Sequence, residues 1–250
     1  MGWACSHPTG AVVVRVTNAA DVARLREIDP ERVPWFEVPP HLVVQSWPDT
    51  AALDVVLDDP AHQVAGVYEL ARMAGERPLR VTIAGRAGIA RAARVAMALH
   101  LPVRLMAWQP APDVLAELDD VLDIYLHDSH TTAPVEFLQS LLAWHLHGDA
   151  PPIWFALEVD PNWFPRVDDD ATNGSVWPPA EPDFVQRWLA GLVDAGAECA
   201  TCRFREWCRG FFKWPDPAYG CAGIVEFLAR VEQSAAQLAR DLDESQALEP

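Results

Sequence analysis

Leu79-Arg-Val-Thr-Ile-Ala84, followed by Gly85-Arg-Ala-Gly88 and then Ile89 to His100, spells a strand, a tight turn and a helix in one stretch. LRVTIA is the cleanest strand pattern in the chain, and the two glycines punctuate it before the helix begins. The same alternation runs on downstream. Pro102–Trp108 reads as a strand, Asp113–Leu122 as a helix, and Asp123–His127 (DIYLH) as a strand. Pro134–His147 is then a helix, and Pro152–Val159, with IWFALEV, a closing strand. Strands separated by helices of this length form consecutive βα units and a mostly parallel sheet, so the fold class is α/β.

Upstream the pattern is shorter. Ala11–Thr17 is a β-rich apolar run, and Asn18 or Asp21 caps a helix through Ile28. Val33–Val38 and His41–Trp47 are two strand pieces split by Pro39-Pro40, which have no place in a central ladder. Asp49 or Thr50 caps a helix over Ala51–Asp58, and Val64–Ala74 is another helix. Leu79 to Val159 supplies four strands, and the N-terminal strand brings the count to at least five. That is too few for an eight-stranded barrel but enough for a partial barrel or an open sheet.

Residues 161–182 break the alternation with five prolines, an Asp168–Asp170 run and Asn173-Gly174, the composition of a linker. A helix over Asp183–Asp194 follows, and the chain ends in a long helix over Gly223–Ser245. Ile224, Phe227, Leu228, Val231, Ala235, Leu238 and Leu242 recur along one face of that helix. The expected organisation is a βα domain over 1–160, the linker over 161–182, and a small module over 183–250.

The charge balance narrows the function classes. Nineteen Lys and Arg face 36 Asp and Glu, a formal charge of −17. Binding to nucleic-acid phosphates or to anionic membrane surfaces needs the opposite sign. No apolar run reaches the ~18–20 residues of a membrane span, and the N-terminus lacks the flank and core of a secretory signal. The expectation is a cytoplasmic chain.

Four of the five cysteines lie in the module: Cys199, Cys202, Cys208 and Cys221, in the spacing C-x2-C-x5-C-x12-C. Clustered thiols in a reducing compartment are metal ligands before they are disulfides, whereas the isolated Cys5 reads as a small residue. Two metal readings stand. Zinc sites generally use two CxxC-like knuckles, and here there is one; unevenly spaced thiols suit the wrapping of a bulkier iron–sulfur cluster. Arg203, Arg205, Arg209 and Lys213 make a cationic island in an acidic chain, which is either cluster-tuning charge or a solvated face. Phe204, Trp207, Phe211, Phe212, Trp214 and Tyr219 supply the apolar packing that so small a module needs.

The spacing C-x2-C-x5-C with a later fourth cysteine resembles the SPASM domain, the auxiliary-cluster module of radical SAM peptide-modifying enzymes. The match covers about residues 196–225. The resemblance implies one 4Fe–4S cluster on Cys199, Cys202, Cys208 and Cys221. The position that serves the family's other cluster is Phe212 here, and the upstream cysteine pair is missing. The CxxxCxxC motif that binds the SAM-cleaving cluster is also lacking, since only Cys5 precedes Cys199. The resemblance thus implies a partial (β/α) barrel-like domain with a SPASM-like module and no catalytic residue of its own. It implies a companion to a separate radical SAM enzyme that holds a substrate peptide or relays an electron. The alternative is a zinc-stabilised binding or scaffold protein without a redox role.

A third reading is a stand-alone enzyme using His127 and Asp128. The stretch His127-Asp128-Ser129-His130 follows a predicted strand where α/β proteins put active sites, and its two histidines and aspartate suit a metal or acid–base work, unless Asp128 or Ser129 simply ends the strand in a turn. Gly85-Arg86-Ala-Gly88 opens a helix and is either an anion cradle or an empty tight turn. His145 and His147, two apart on a helix, point in different directions and read as ordinary. Six of the eleven tryptophans fall between Trp154 and Trp214, where packing of the linker onto the sheet is the default and a peptide-binding surface the alternative.

Overall fold

The structure, a computed structural model, describes residues 4–6, 12–24, 35–43, 47, 51–73, 77–148 and 183–247. Among these residues six strands form one sheet: β1 (Ala4–Ser6), β2 (Val12–Arg15), β3 (Trp35–Val38), β4 (Leu53–Leu57), β5 (Leu79–Ala84) and β6 (Val103–Met106). They lie side by side in the order of the chain, β1 to β6. The first pair is antiparallel and every later pair parallel. The α/β class and the parallel sheet stand as read from the alternation. Among the described residues the sheet is open, with β1 at one edge and β6 at the other.

Several elements differ from the sequence reading, each for a physical reason. Ala51–Asp58 is not a helix but contains β4, in which all five residues are buried. A parallel strand covered on both faces loses its two-residue alternation, and its apolar run then resembles a short helix. The described residues of His41–Trp47 are not strand: Pro40–Leu42 is a 3-10 turn, and the Trp47 indole donates to the Leu42 carbonyl at 3.1 Å. Val64–Ala74 splits into a 3-10 turn, Val64–Gly66, and one short helix, α3 (Val67–Leu70), both following the short helix α2 (Pro60–Gln63). Asn18, rather than Asp21, caps the first helix, α1 (Ala19–Arg24), by accepting from the Asp21 amide at 3.1 Å.

The largest correction concerns Asp123–His127. It is the last turn of α5 (Pro112–His127), a sixteen-residue helix burying Val114, Leu118, Val121 and Leu122, and no strand follows β6 there. The helix ends only at Asp128, whose backbone is extended. Instead, Val135 makes a single parallel bridge to Val103 at the β6 edge, immediately before α6 (Glu136–His147). The predicted strand over Pro152–Val159 and the linker over 161–182 lie outside the described residues.

One face of the central strands carries charge. Asp54 on β4 is in register with Arg80 on β5, and their side chains meet at 2.7 Å. Arg104 on β6 reaches the same carboxylate at 3.3 Å, and the Thr82 hydroxyl donates to it at 2.6 Å. Glu136, in the first turn of α6, accepts from Arg104 at 2.7 Å and from Arg80 at 3.4 Å. Asp54, Arg80, Thr82 and Arg104 are all buried. Burial pushes the Asp54 carboxyl up, but the two guanidiniums and the hydrogen bonds outweigh it and hold it below its ordinary value. The opposite face (Leu53, Val55, Leu57, Val81, Ile83, Val103 and Leu105) is apolar and buried.

The C-terminal module joins the same core. α7 (Phe184–Asp194) leads into a single helical turn, α8 (Arg205–Cys208), and then α9 (Ala222–Ala247). Phe137 on α6 stacks on Phe227 of α9 at 6.2 Å and meets Phe212 edge-on at 6.2 Å. Trp108, beyond β6, stacks on Phe211 at 4.5 Å. A continuous apolar cluster therefore runs from the sheet through α5 and α6 to the cysteine module.

Candidate metal centre

The chain between α7 and α9 is a series of tight turns, and each turn delivers one or two thiols. Cys199 sits in a 3-10 turn, Glu198–Ala200, and Cys202 follows it, its carbonyl accepting from the Arg205 amide at 3.2 Å. Cys208 closes α8. Arg209 and Gly210 then take left-handed conformations, φ 47° and 80°, and reverse the chain. That reversal directs the amides of Gly210, Phe211 and Phe212 at the Cys208 sulfur. Consecutive amides aimed at one point form an anion-stabilising nest. A side chain at Gly210 is disfavoured twice, by the φ of 80° and by a Cβ that would lie 2.7 Å from the Leu192 side chain. Cys221 stands directly before α9; its carbonyl accepts from Val225 at 2.8 Å and its amide donates to Glu198 at 2.8 Å. The thiol thus lies at the positive end of a helix of 26 residues.

All four thiols are free and line one cavity of about 320 Å³. Cys199 and Cys221 are buried, and Cys202 and Cys208 are half-buried. Phe204, Phe212, Ile224 and Leu228 make the apolar wall. That volume is roughly ten times the ~30 Å³ that one water occupies in the liquid. Among the described residues, no three histidine, cysteine or carboxylate groups converge closely enough to hold a single ion.

Electrostatics at the thiols follow from their burial. Desolvation pushes Cys208 up to about 11, against the lowering effect of the three amides. Burial and the Glu198 carboxylate push Cys221 up to about 12, and burial raises Cys199. Left to themselves these thiols keep their protons at neutral pH, and a cationic centre is needed to draw the protons off. Lys213 lines the same cavity, and its ammonium lies 2.8 Å from Glu198 and donates to the Tyr219 carbonyl. Burial works against the Lys213 charge, but Glu198 and the neighbouring sulfurs outweigh it and raise its pKa.

The rest of the cationic island is engaged elsewhere. Arg203 pairs with Glu232 at 2.6 Å and lies 4.4 Å over the Phe204 ring, and Arg205 donates to the Ala200 carbonyl at 3.2 Å. The aromatics are mostly core: Phe204, Trp207, Phe211 and Phe212 are buried. Tyr219 anchors the module by donating to the Pro110 carbonyl at 2.7 Å. Half-buried Trp214 meets Trp188 and Phe184 edge-on at 5.1 and 4.8 Å.

The other predicted sites do not assemble. His127 bonds back to Asp123 and His130 to Asp128, both pairs exposed and both at the end of a helix rather than a strand. The position that recommended them as acid and base is gone. At Gly85-Arg-Ala-Gly88 the amides of Gly88 and Ala90 are each 2.9 Å from the Glu117 carboxylate, so the chain's own α5 provides the anion for α4 (Ile89–Ala98). His145 is half-buried with its Nε2 unpartnered among the described residues; burial lowers its pKa, and His147 is exposed.

No family model, curated protein or solved structure matches the chain. Its chemistry rests on its own geometry.

The site contains one residue that the sequence reading passed over. Glu198 meets Cys221 and Lys213 only through folding, and nothing local marks it beyond its place beside Cys199. The Asp54–Arg80–Arg104 layer is equally silent, because its members come from three separate strands.

Proposed function

We propose that this chain is an accessory iron–sulfur protein carrying one 4Fe–4S cluster on Cys199, Cys202, Cys208 and Cys221. It works beside a separate radical SAM enzyme in peptide modification, as a SPASM-like companion that holds a substrate peptide or relays an electron. The observation that carries the reading is the placement of the thiols: all four line one cavity of about 320 Å³. A closed zinc site draws its sulfurs in to ~2.3 Å from one atom; a cluster needs thiolates set round a larger body.

The donor set fits a cluster. It is all sulfur, its wall is largely apolar, and three amides face Cys208. A cluster bound there supplies one-electron chemistry, and the residues around it exclude water and hold its charge. In support of a barrel-like ancestry, five parallel strands run in strict chain order, as successive units of a βα barrel do. Fold likeness of that kind does not assign a reaction, and the partner enzyme is inferred from the cysteine pattern and the missing CxxxCxxC.

Anaerobic purification with iron, sulfide and zinc measured per chain tests the reading. Iron and sulfide in the ratio of a 4Fe–4S cluster are expected, with loss of both in Cys221→Ser. Zinc at one equivalent without sulfide after anaerobic reconstitution removes the cluster and leaves a zinc-stabilised scaffold. Co-purification with a CxxxCxxC protein tests the partner separately.

A further inference from the structure

We propose that Lys213 and Glu198 form a built-in counter-charge for the group that the four cysteines hold, Lys213 as its counter-ion and Glu198 as the positioning residue. The inference rests on reading the four thiols as ligands. It adds to that reading which charges balance the site.

Of the 19 Lys and Arg residues in the chain, only Lys213 is a lysine. It is also among the few charged residues buried in the described structure, 5% exposed, and it lines the thiol cavity. A buried ammonium is strongly unfavourable unless paired. The pair it has is incomplete, since Glu198 is 46% exposed at its side chain and the same oxygen also accepts the Cys221 amide. Four thiolates on a metal centre leave a net negative charge, about −2 for an oxidised 4Fe–4S core, and that charge completes the compensation. A compact ammonium fits the space between Glu198 and the Tyr219 carbonyl, where a planar guanidinium demands five donors' worth of partners. Arg203 and Arg205 line the cavity as well, but they are spent on Glu232 and on the Ala200 carbonyl.

Glu198 ties this charge to the ligand frame. One carboxylate oxygen, at 2.8 Å from each, holds both the ammonium and the backbone of the fourth cysteine, across 23 residues of chain. The arrangement gives opposite signs to its two members. Removing the buried positive charge disfavours the added electron, and removing the carboxylate charge favours it. Lys213 is the less solvated of the two, so its effect is the larger and the less sensitive to salt.

Anaerobic redox titration of the loaded full-length chain, wild type beside Lys213→Met and Glu198→Gln, reads both effects. The potential is expected to fall in Lys213→Met and to rise, by less, in Glu198→Gln, whose amide oxygen still accepts the Cys221 amide. Unchanged potentials in both, or shifts of the same sign, overturn the proposal. If Lys213→Met does not fold, the upward shift in Glu198→Gln decides alone. If the chain takes up zinc without sulfide, the cluster reading fails and the counter-charge is read from zinc retention against a chelator. Lys213→Met then releases zinc faster than wild type, and equal release overturns it. A chain that takes up neither metal nor cluster overturns both readings.

Discussion

Gly210 shows how much one residue decides. Its φ of 80° follows Arg209 at 47°, and the space a side chain needs is held by Leu192 and Trp188. Gly210→Ala meets two penalties at once, a left-handed backbone and an overpacked contact. It is expected to lower stability by about 2–3 kcal/mol, read as a drop in urea midpoint. On the proposed cluster reading, cluster content per folded chain also falls, because the reversal that aims three amides at Cys208 is built on this residue. The sequence announced the thiols here but not their setting. Four cysteines within 23 residues are legible in any order, whereas the partners of Cys221, Glu198 and through it Lys213, are brought together only by the fold.

At the scale of elements, α4 depends on a neighbour for its first turn. No side chain at Gly88, which has φ 91°, caps it, and Glu117 on α5 takes the amides of Gly88 and Ala90 instead. Glu117→Ala is expected to cost about 1–2 kcal/mol, the range for a lost cap with a favourable charge at a helix start; Glu117→Gln is expected to recover part of it in the same denaturation assay. The GRAG turn was legible as a turn between strand and helix, yet its anion was not, because Glu117 lies 29 residues from Gly88. The βα alternation was legible over Leu79–Met106. It failed at Leu53–Leu57, where burial on both faces erased the strand's period, and at Asp123–His127, where five residues suited a strand but belonged to a helix already under way.

Across the whole molecule, the module and the sheet share one core, and Phe137 is its joint. The ring meets Trp207, Phe212 and Phe227 from three positions of the module. Phe137→Ala is expected to cost about 3–5 kcal/mol. The unfolding transitions followed by far-UV circular dichroism and, for the chain loaded with the proposed cluster, by its absorbance are expected to move together; separate transitions would show that the two parts unfold independently. Stability is also expected to fall with acid. Asp54 has a folded pKa below its unfolded value of ~3.9, so its contribution is present above that value and disappears as pH drops through the lower one. His145, lowered by burial, binds its proton in the unfolded chain first, so stability falls as pH drops below ~6.5 toward its folded value. Urea midpoints between pH 7 and 3 check both. Asp54→Asn is expected to lose about 3–5 kcal/mol at pH 7, since it strips a charge partner from two buried arginines, and to flatten the decline below pH 4.

The sequence by itself determined the α/β class, the parallel sheet and the four thiols, because each is written in local periodicity or in residues close together along the chain. Only the tertiary structure decided which apolar runs are strands, that the sheet is open among the described residues, and that His127 and Asp128 close a helix instead of a strand. It alone also set the thiols around one cavity with the single lysine among them. The physical reason is common to all of these. Burial on both faces, cross-strand ion pairs and a carboxylate shared over 23 residues are properties of residues that meet only when the chain is folded.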